Sequence, residues 1–457
     1  MIPSIPRGTR DFSPAEISCR NFIISTVADV FRLSGYQPIE TPAMENTETL
    51  TGKYGEEGDR LIFRVLNSGD FLKDADREKL NAADAAALLP SISGKALRYD
   101  LTVPFARYVV MHRNDITFPF RRYQMQPVWR ADRPQKGRYR EFWQCDADII
   151  GTSSLLSEAE LIGMVDDVFS RLGMEVVIKI NNRKILSGIA ASLGVKEKSF
   201  TAFVTALDKI EKTGYENAVK EMIERNIFSR PVKENELTEF LREMPQRSPD
   251  KIRELSPEAA KGVEEIETIY SFFEGDKMKS STVLRDYTLA RGLDYYTGTI
   301  IEVKPAAHTS GSSICGGGRY DDLTGIFGVP GLPGVGISFG IDRIYDVMKE
   351  MNLFERKGLQ VPVSRLMFAH FGEAERKYAF RLSSEIRGAG ISAEVYPDIC
   401  KIKKQMEYAG KKGIPFVAVI GEDEMKSGMI TLREMSTGEQ CKLPPGDLSV
   451  KLKGEKH

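Results

Sequence analysis

The stretch from Pro119 to Asp148 carries the residues best suited to chemistry. Across its middle, Arg121, Arg122, Arg130, Arg133, Lys136, Arg138 and Arg140 stand against a single acid, Asp132. Alternation on either side (Tyr123, Met125, Pro127, Trp129, then Phe142, Gln144, Asp146, Asp148) reads as two strands joined by a hairpin loop, Arg-Pro-Gln-Lys-Gly-Arg. Arg130 closes the first strand, while Gln144 and Asp148 share one face of the second. A fixed cation, an amide and a carboxylate on one sheet surface suit a small zwitterion and a polyphosphate better than a packed core.

Other arginines extend this pattern. In Arg291 to Gly298 (RGLDYYTG), adjacent tyrosines on a strand point to opposite faces, so one enters a site while the other packs. An arginine beside such a pocket recognises a carboxylate or phosphate. Arg319 ends a glycine-dense loop, Gly316-Gly317-Gly318, and Arg343 begins a helix after GISFGID. Each lays a guanidinium over a surface lined by backbone, and the guanidinium fork matches phosphate oxygens. Neither this glycine run nor Gly334-Val335-Gly336 has the context of a P-loop or a dinucleotide-binding turn. The four histidines and five cysteines are scattered, with no CxxC pair, which argues against a metal site built from protein side chains and for reduced thiols. With no Ser/His/Asp or Cys/His arrangement, the chemistry left is positioning and charge neutralisation, as in nucleotidyl or phosphoryl transfer.

The elements that position these groups follow from pattern. A chain of 457 residues predicts two to four domains. With 64 basic and 65 acidic residues it has no bulk field for nucleic acid or membranes, so a nucleic-acid partner must meet local basic stripes. No leader opens the chain and no apolar run approaches ~18 residues, which predicts a soluble, unexported protein. Ser13-Pro14-Ala15-Glu16 is a capping box opening a helix through Phe31, with Gly35 as its terminator. Two prolines place GYQPIETP at an edge or interface. Lys73–Ala87 reads as a solvated helical insertion, Asp100 as the cap of a helix from Thr102, and Ser157-Glu158-Ala159-Glu160 as a second capping box. Residues 184–280 form a Lys/Glu-rich helical insert whose charges read as a solvated face. The stretches 1–183 and 281–355 flank it, and 360–457 alternates strand and helix as a mostly parallel α/β domain does. Arg121 and Arg122 receive no role and read as surface.

The ordered set PRGTRDF, RYDLTVPFAR, WRADRPQKGRYREFWQCDADIIG, ARGLDYYTG, GGGRYDDL and GVGISFGIDR strongly resembles the histidyl-tRNA synthetases. So does the tail EVYPDICKIKKQMEYAGKKGIPFVAVIGEDE. The resemblance implies an α+β class II catalytic core, an antiparallel sheet flanked by helices, in two parts around the insert, with 360–457 as an anticodon-binding domain. It also implies a cytoplasmic homodimer, with Pro42 of motif 1 at the interface, acting on ATP with Mg²⁺, L-histidine and histidine tRNA and no membrane.

By the same resemblance, Arg130 of motif 2 binds the ATP α-phosphate, Asp132 and Arg138 contact ATP, and Arg343 of motif 3 clamps the γ-phosphate. Asp132 stands where the wider class shows Glu. Gln135 approaches the tRNA acceptor. Asp100, Thr102 and Gln144 hold the amino group of histidine, and Asp148 and Tyr296 its imidazole, with Tyr295 and Tyr320 lining the pocket. Many members have Glu at Asp100 and Asp148. Arg291 bridges carboxylate and α-phosphate, so Arg291 and Arg130 are the expected catalytic pair. Lys401, Lys403, Lys404, Lys411 and Lys412 give the tail a basic surface for the anticodon. Two relatives share the core. A regulatory subunit of ATP phosphoribosyltransferase typically lacks both the tail and the intact ARGLDYYTG, and another class II synthetase lacks RGLDYY.

Overall fold

The structure is a computed structural model that describes residues 2–51, 60–273, 277–291, 296–308, 311–357 and 364–454. It divides into two compact units, Met1–Leu359 and Gln360–His457. The first is built on a sheet of β1 (Gln37–Pro38), β2 (Phe120–Trp129), β3 (Glu141–Ile150), β4 (Val176–Asn182), β5 (Ser281–Arg285), β6 (Thr299–Pro305), β7 (Cys315–Tyr320) and β8 (Gly334–Gly340). The order is β1-β2-β3-β8-β7-β6-β4-β5. The pairs at the two edges, β1–β2 and β4–β5, are parallel and the interior is antiparallel. This is the α+β layout expected, with GYQPIETP supplying an edge strand.

One face of this sheet is apolar. Cys145, Ala147 and Ile149 of β3 pack with Val27 and Phe31 of α1 (Pro14–Leu33) and Val165 and Phe169 of α3 (Leu156–Leu172). The alternate residues of β3, Gln144, Asp146 and Asp148, face the other way and are buried too. Between α1 and α3 in the chain lies α2 (Thr102–Met111). The helices from α4 (Arg183–Leu193) to α5 (Pro257–Ser271) join the same core through Ile185, Val263 and Ile266. At the amino end, Ser13 and Glu16 form the expected capping box with Pro14 at the first turn.

Three local readings change. The helix α3 has Leu155 as its cap and no side-chain cap bond, because the helix starts ahead of Ser157 and Glu160, the other end of the expected box, pairs with Arg121. The glycine run 316–318 is the strand β7, not a loop. A Cβ on Gly317 would lie 1.9 Å from the Gly336 carbonyl oxygen, and one on Gly318 2.4 Å from that of Thr299. Only glycine lets the neighbouring strands approach so closely. Tyr296 precedes β6 rather than lying in a strand, and Tyr295 falls outside the described residues.

The second unit has β9 (Leu366–His370), β10 (Ala393–Val395), β11 (Phe416–Ile420), β12 (Ile430–Glu434) and β13 (Gln440–Leu443) in the order β10-β9-β11-β12-β13. The first three strands are parallel and the last two form an antiparallel hairpin. Residues of the helices Glu373–Gly388 and Pro445–Gly454 fill one core, and those of Ile402–Lys412 fill another. Lys401, Lys403, Lys404, Lys411 and Lys412 are exposed. Among the described residues no helix is long and apolar enough to cross a membrane.

Candidate active site

The polar face of the large sheet forms the floor of a cleft of about 410 Å³. Arg130, Arg138, Arg291 and Arg343 line it, with Asp100, Thr102, Asp132, Gln135, Gln144, Asp148, Tyr296 and Tyr320. The distant segments that carry these residues are thus brought to one surface.

Backbone oxygens take bonds from the guanidiniums of Arg130, Arg291 and Arg343. Arg130 donates from Nε to the Tyr99 carbonyl at 2.9 Å and lies 5.2 Å from the Phe142 ring centroid. Arg343, in the first turn of α6 (Ile341–Glu350), donates to the carbonyls of Gly137 at 2.9 Å and Ser313 at 2.8 Å. It thereby ties the hairpin loop to the segment before β7. Arg291 donates to Ile301 at 3.0 Å, and Arg138 lies 3.8 Å from Asp132. Burial, then the charges of Arg130, Arg291 and Arg138, push the Arg343 guanidinium down to about 10. Cations crowded enough to disfavour one another are poised for a polyanion.

Glycine makes room for these groups. A Cβ on Gly316 would lie 1.3 Å from Nη1 of Arg291, and one on Gly336 1.9 Å from Oδ1 of Asp148. The glycines of β7 and β8 are therefore the surface on which the arginine and the carboxylate rest.

The floor itself is acidic. Asp148 accepts from the Tyr320 hydroxyl at 2.6 Å, and its other oxygen lies 2.7 Å from Nη2 of Arg122. Burial raises the Asp148 carboxyl, with Arg122 and Tyr320 opposing it. Gln144 donates to Ser338 Oγ at 2.8 Å. Asp100 accepts from the Val103 amide at the start of α2 at 3.4 Å, and is itself buried.

Three arginines correct the sequence reading. Arg122 is not surface. It is fully buried, opposite Asp148 in the β2–β3 register, with its guanidinium 4.1 Å from the Phe105 ring centroid. Arg121 pairs with Glu160 at 3.1 Å. Arg319 lays no guanidinium over the cleft, because alternation along β7 turns it to the opposite face from Gly316 and Tyr320. There it grips Glu158 at 2.6 and 2.7 Å and the carbonyls of Thr152 and Ser154.

Further supports had no signal in the sequence beyond their charge. Asp342 accepts from Arg10 and Arg20 at 2.5 Å each and from the Trp143 amide at 2.8 Å, fixing α6 and hence Arg343 against β3. From the insert, Asp208, Glu211 and Lys212 also line the cleft. Glu211 is not simply solvated, since it pairs with the buried Lys304 and with Lys179 at 2.9 Å. Among the described residues no group of three His, Cys, Asp or Glu side chains could hold a metal ion.

The family model described as Histidyl-tRNA synthetase matches residues 79–344, and that described as Anticodon binding domain matches residues 361–455. The histidine–tRNA ligase of Phocaeicola vulgatus is 50% identical over 454 residues, spanning 99% of each chain. That of Cytophaga hutchinsonii is 49% identical over 459 residues, spanning 98% of this chain and 99% of its own. The crystal structure of histidyl-tRNA synthetase from Nostoc sp. PCC 7120 matches with a TM-score of 0.77 at 29% identity, covering 99% of each chain.

Proposed function

We propose, since this chain belongs to the histidyl-tRNA synthetase family, that it attaches L-histidine to its tRNA at the expense of ATP. The reaction runs through a histidyl-adenylate and releases AMP and diphosphate. The observation that carries this reading is one cleft with arginines crowded at one part of its lining and a buried amide and carboxylates on its floor. The first suits a triphosphate, the second an amino acid with an ammonium group and a ring N–H.

The carboxylate of histidine attacks the α-phosphate in line, and diphosphate leaves. Arg130 and Arg291 offset charge on the α-phosphate oxygens in the transition state, each contributing on the order of 3 kcal/mol. Arg343 clamps the γ-phosphate, and Asp132 and Arg138 contact the rest of the nucleotide. Asp100, Thr102 and Gln144 hold the amino group, Asp148 and Tyr296 take the imidazole, and Tyr320 keeps Asp148 oriented. Tyr295 completes the pocket wall. The terminal hydroxyl of the tRNA then takes the histidyl group, with Gln135 near the acceptor end. Mg²⁺ accompanies the triphosphate; such an ion keeps most of its water and takes one or two carboxylates with the phosphate oxygens. Glu302, a half-buried carboxylate in the cleft lining, fits that need. The ion would neutralise phosphate charge.

Residues 1–183 and 281–355 serve as the catalytic core around an insert at 184–280, and 360–457 reads the anticodon through its exposed lysines. The chain works as a cytoplasmic homodimer, with the edge strand β1 and Pro42 toward the partner copy. The test is charging: with ATP and histidine, the protein converts its tRNA to an acid-precipitable histidyl form. Histidine binding with no transfer would favour a histidine-sensing regulatory subunit instead.

A further inference from the structure

Asp146 takes no part in the reaction described so far, yet it lies on the cleft floor between Gln144 and Asp148. It is 2% exposed, and no donor from the described residues reaches its Oδ1. Its flanking partners in register are Gln124 on β2 and Ser338 on β8. The Gln124 amide is spent on Thr41 at 2.8 Å and Gln126 at 2.6 Å. A buried carboxylate oxygen without a donor is costly and rare, and such atoms mark places where a ligand completes the bonding.

Counting donors against acceptors says which ligand atom that is. The ammonium of an amino acid brings three N–H bonds, which Asp100, Thr102 and Gln144 are enough to accept. Asp148 already has the Tyr320 hydroxyl on one oxygen and Arg122 beside the other. The ring N–H therefore faces one carboxylate that is largely engaged and one with an oxygen to spare. Resting on the histidine-charging reading above, we infer that Asp146 Oδ1 is the acceptor for an imidazole N–H of the bound amino acid. Asp146 is thus a further specificity-determining residue beside Asp148, which Arg122 and Tyr320 hold in place at the same ring. The carboxyl is held up to about 7 by burial, with Arg122 and the Ser338 hydroxyl pulling it down and Asp148 and Asp100 pushing it up. A bound N–H donor offsets part of that burden. A ring of similar size without an N–H leaves Oδ1 unpaired, and sites of this kind reject such substrates strongly.

The experiment is ATP–pyrophosphate exchange by the full chain, wild type against Asp146→Asn and Asp146→Ser, with KM measured for histidine and for ATP. The expected result is a 10- to 100-fold rise in KM for histidine, with KM for ATP unchanged and the circular dichroism spectrum native. Wild-type KM for histidine in a folded Asp146→Asn, with the rise confined to Asp148→Asn, would overturn the inference. So would loss of the fold in both Asp146 variants, which would make the residue structural. A wild-type chain that exchanges with another amino acid and not histidine would instead overturn the functional reading itself.

Discussion

Replacing Gly316 by alanine tests whether the cleft works by placing a guanidinium. The new Cβ would meet Nη1 of Arg291 at 1.3 Å, whereas ordinary contact begins near 3.4 Å. The obstacle is the end of a long side chain, so the strand stays and the guanidinium retreats by about 2 Å. Misplacement by ~1 Å can cost about 10²-fold, and losing one stabilising donor about 10²–10³-fold, or roughly 3–4 kcal/mol. Gly316→Ala should therefore lower kcat for histidine-dependent ATP–pyrophosphate exchange by about 10²–10³ while the urea midpoint stays near wild type. Gly317→Ala is the contrast. Its Cβ would lie 1.9 Å from the Gly336 carbonyl oxygen and 2.7 Å from the Ile337 Cα, so backbone must move and stability should fall. A folded Gly316→Ala that exchanges at the wild-type rate would refute the catalytic placement of Arg291.

Arg343→Met should cost about 10²–10³ in kcat/KM for ATP. Relief of the guanidinium's burial and of its repulsion from Arg130, Arg291 and Arg138 should offset the lost bonds to the Gly137 and Ser313 carbonyls, leaving stability near wild type; a thermal scan beside the kinetics checks both halves. Glu158→Ala strands a buried guanidinium, and breaking such a pair costs about 3–5 kcal/mol. Its urea midpoint should drop while exchange by the remaining folded protein persists, because Arg319 faces away from the cleft. Asp146 titrates near 3.8 in an unfolded chain and about 7 when folded, so between those values the folded state holds a proton that the unfolded state has lost. Its share of stability thus falls as pH rises through that window, by up to about 4 kcal/mol at ~1.4 per pH unit. Denaturation of Asp146→Asn should show a gain over wild type at pH 8 that disappears at pH 4.

The strands β2 and β3, the capping box at Ser13 and the alternation in the second unit were legible because each rests on a local pattern. Gln144 and Asp148 were legible for the same reason, and Asp146 lies on the same face but offered no partner by which to interpret it. What the sequence hid was pairing across long separations. Arg122 looks like one more basic residue of a hairpin until the register sets it opposite Asp148. Ser157 and Glu160 match a capping box, yet Arg121, distant in sequence, takes the Glu160 carboxylate and the helix starts ahead of Ser157. The run of three glycines looks like a loop because a local reading cannot see the Gly336 carbonyl or the Arg291 guanidinium that exclude a Cβ.

The central claim is that arginines of one cleft activate ATP for attack by histidine held on an acidic floor. ATP–pyrophosphate exchange with a panel of amino acids tests it most directly. Exchange dependent on histidine, and abolished in a folded Arg291→Ala, is the expected result. Exchange with none of the panel, with threonine instead, or with histidine at an unchanged rate in Arg291→Ala would contradict it.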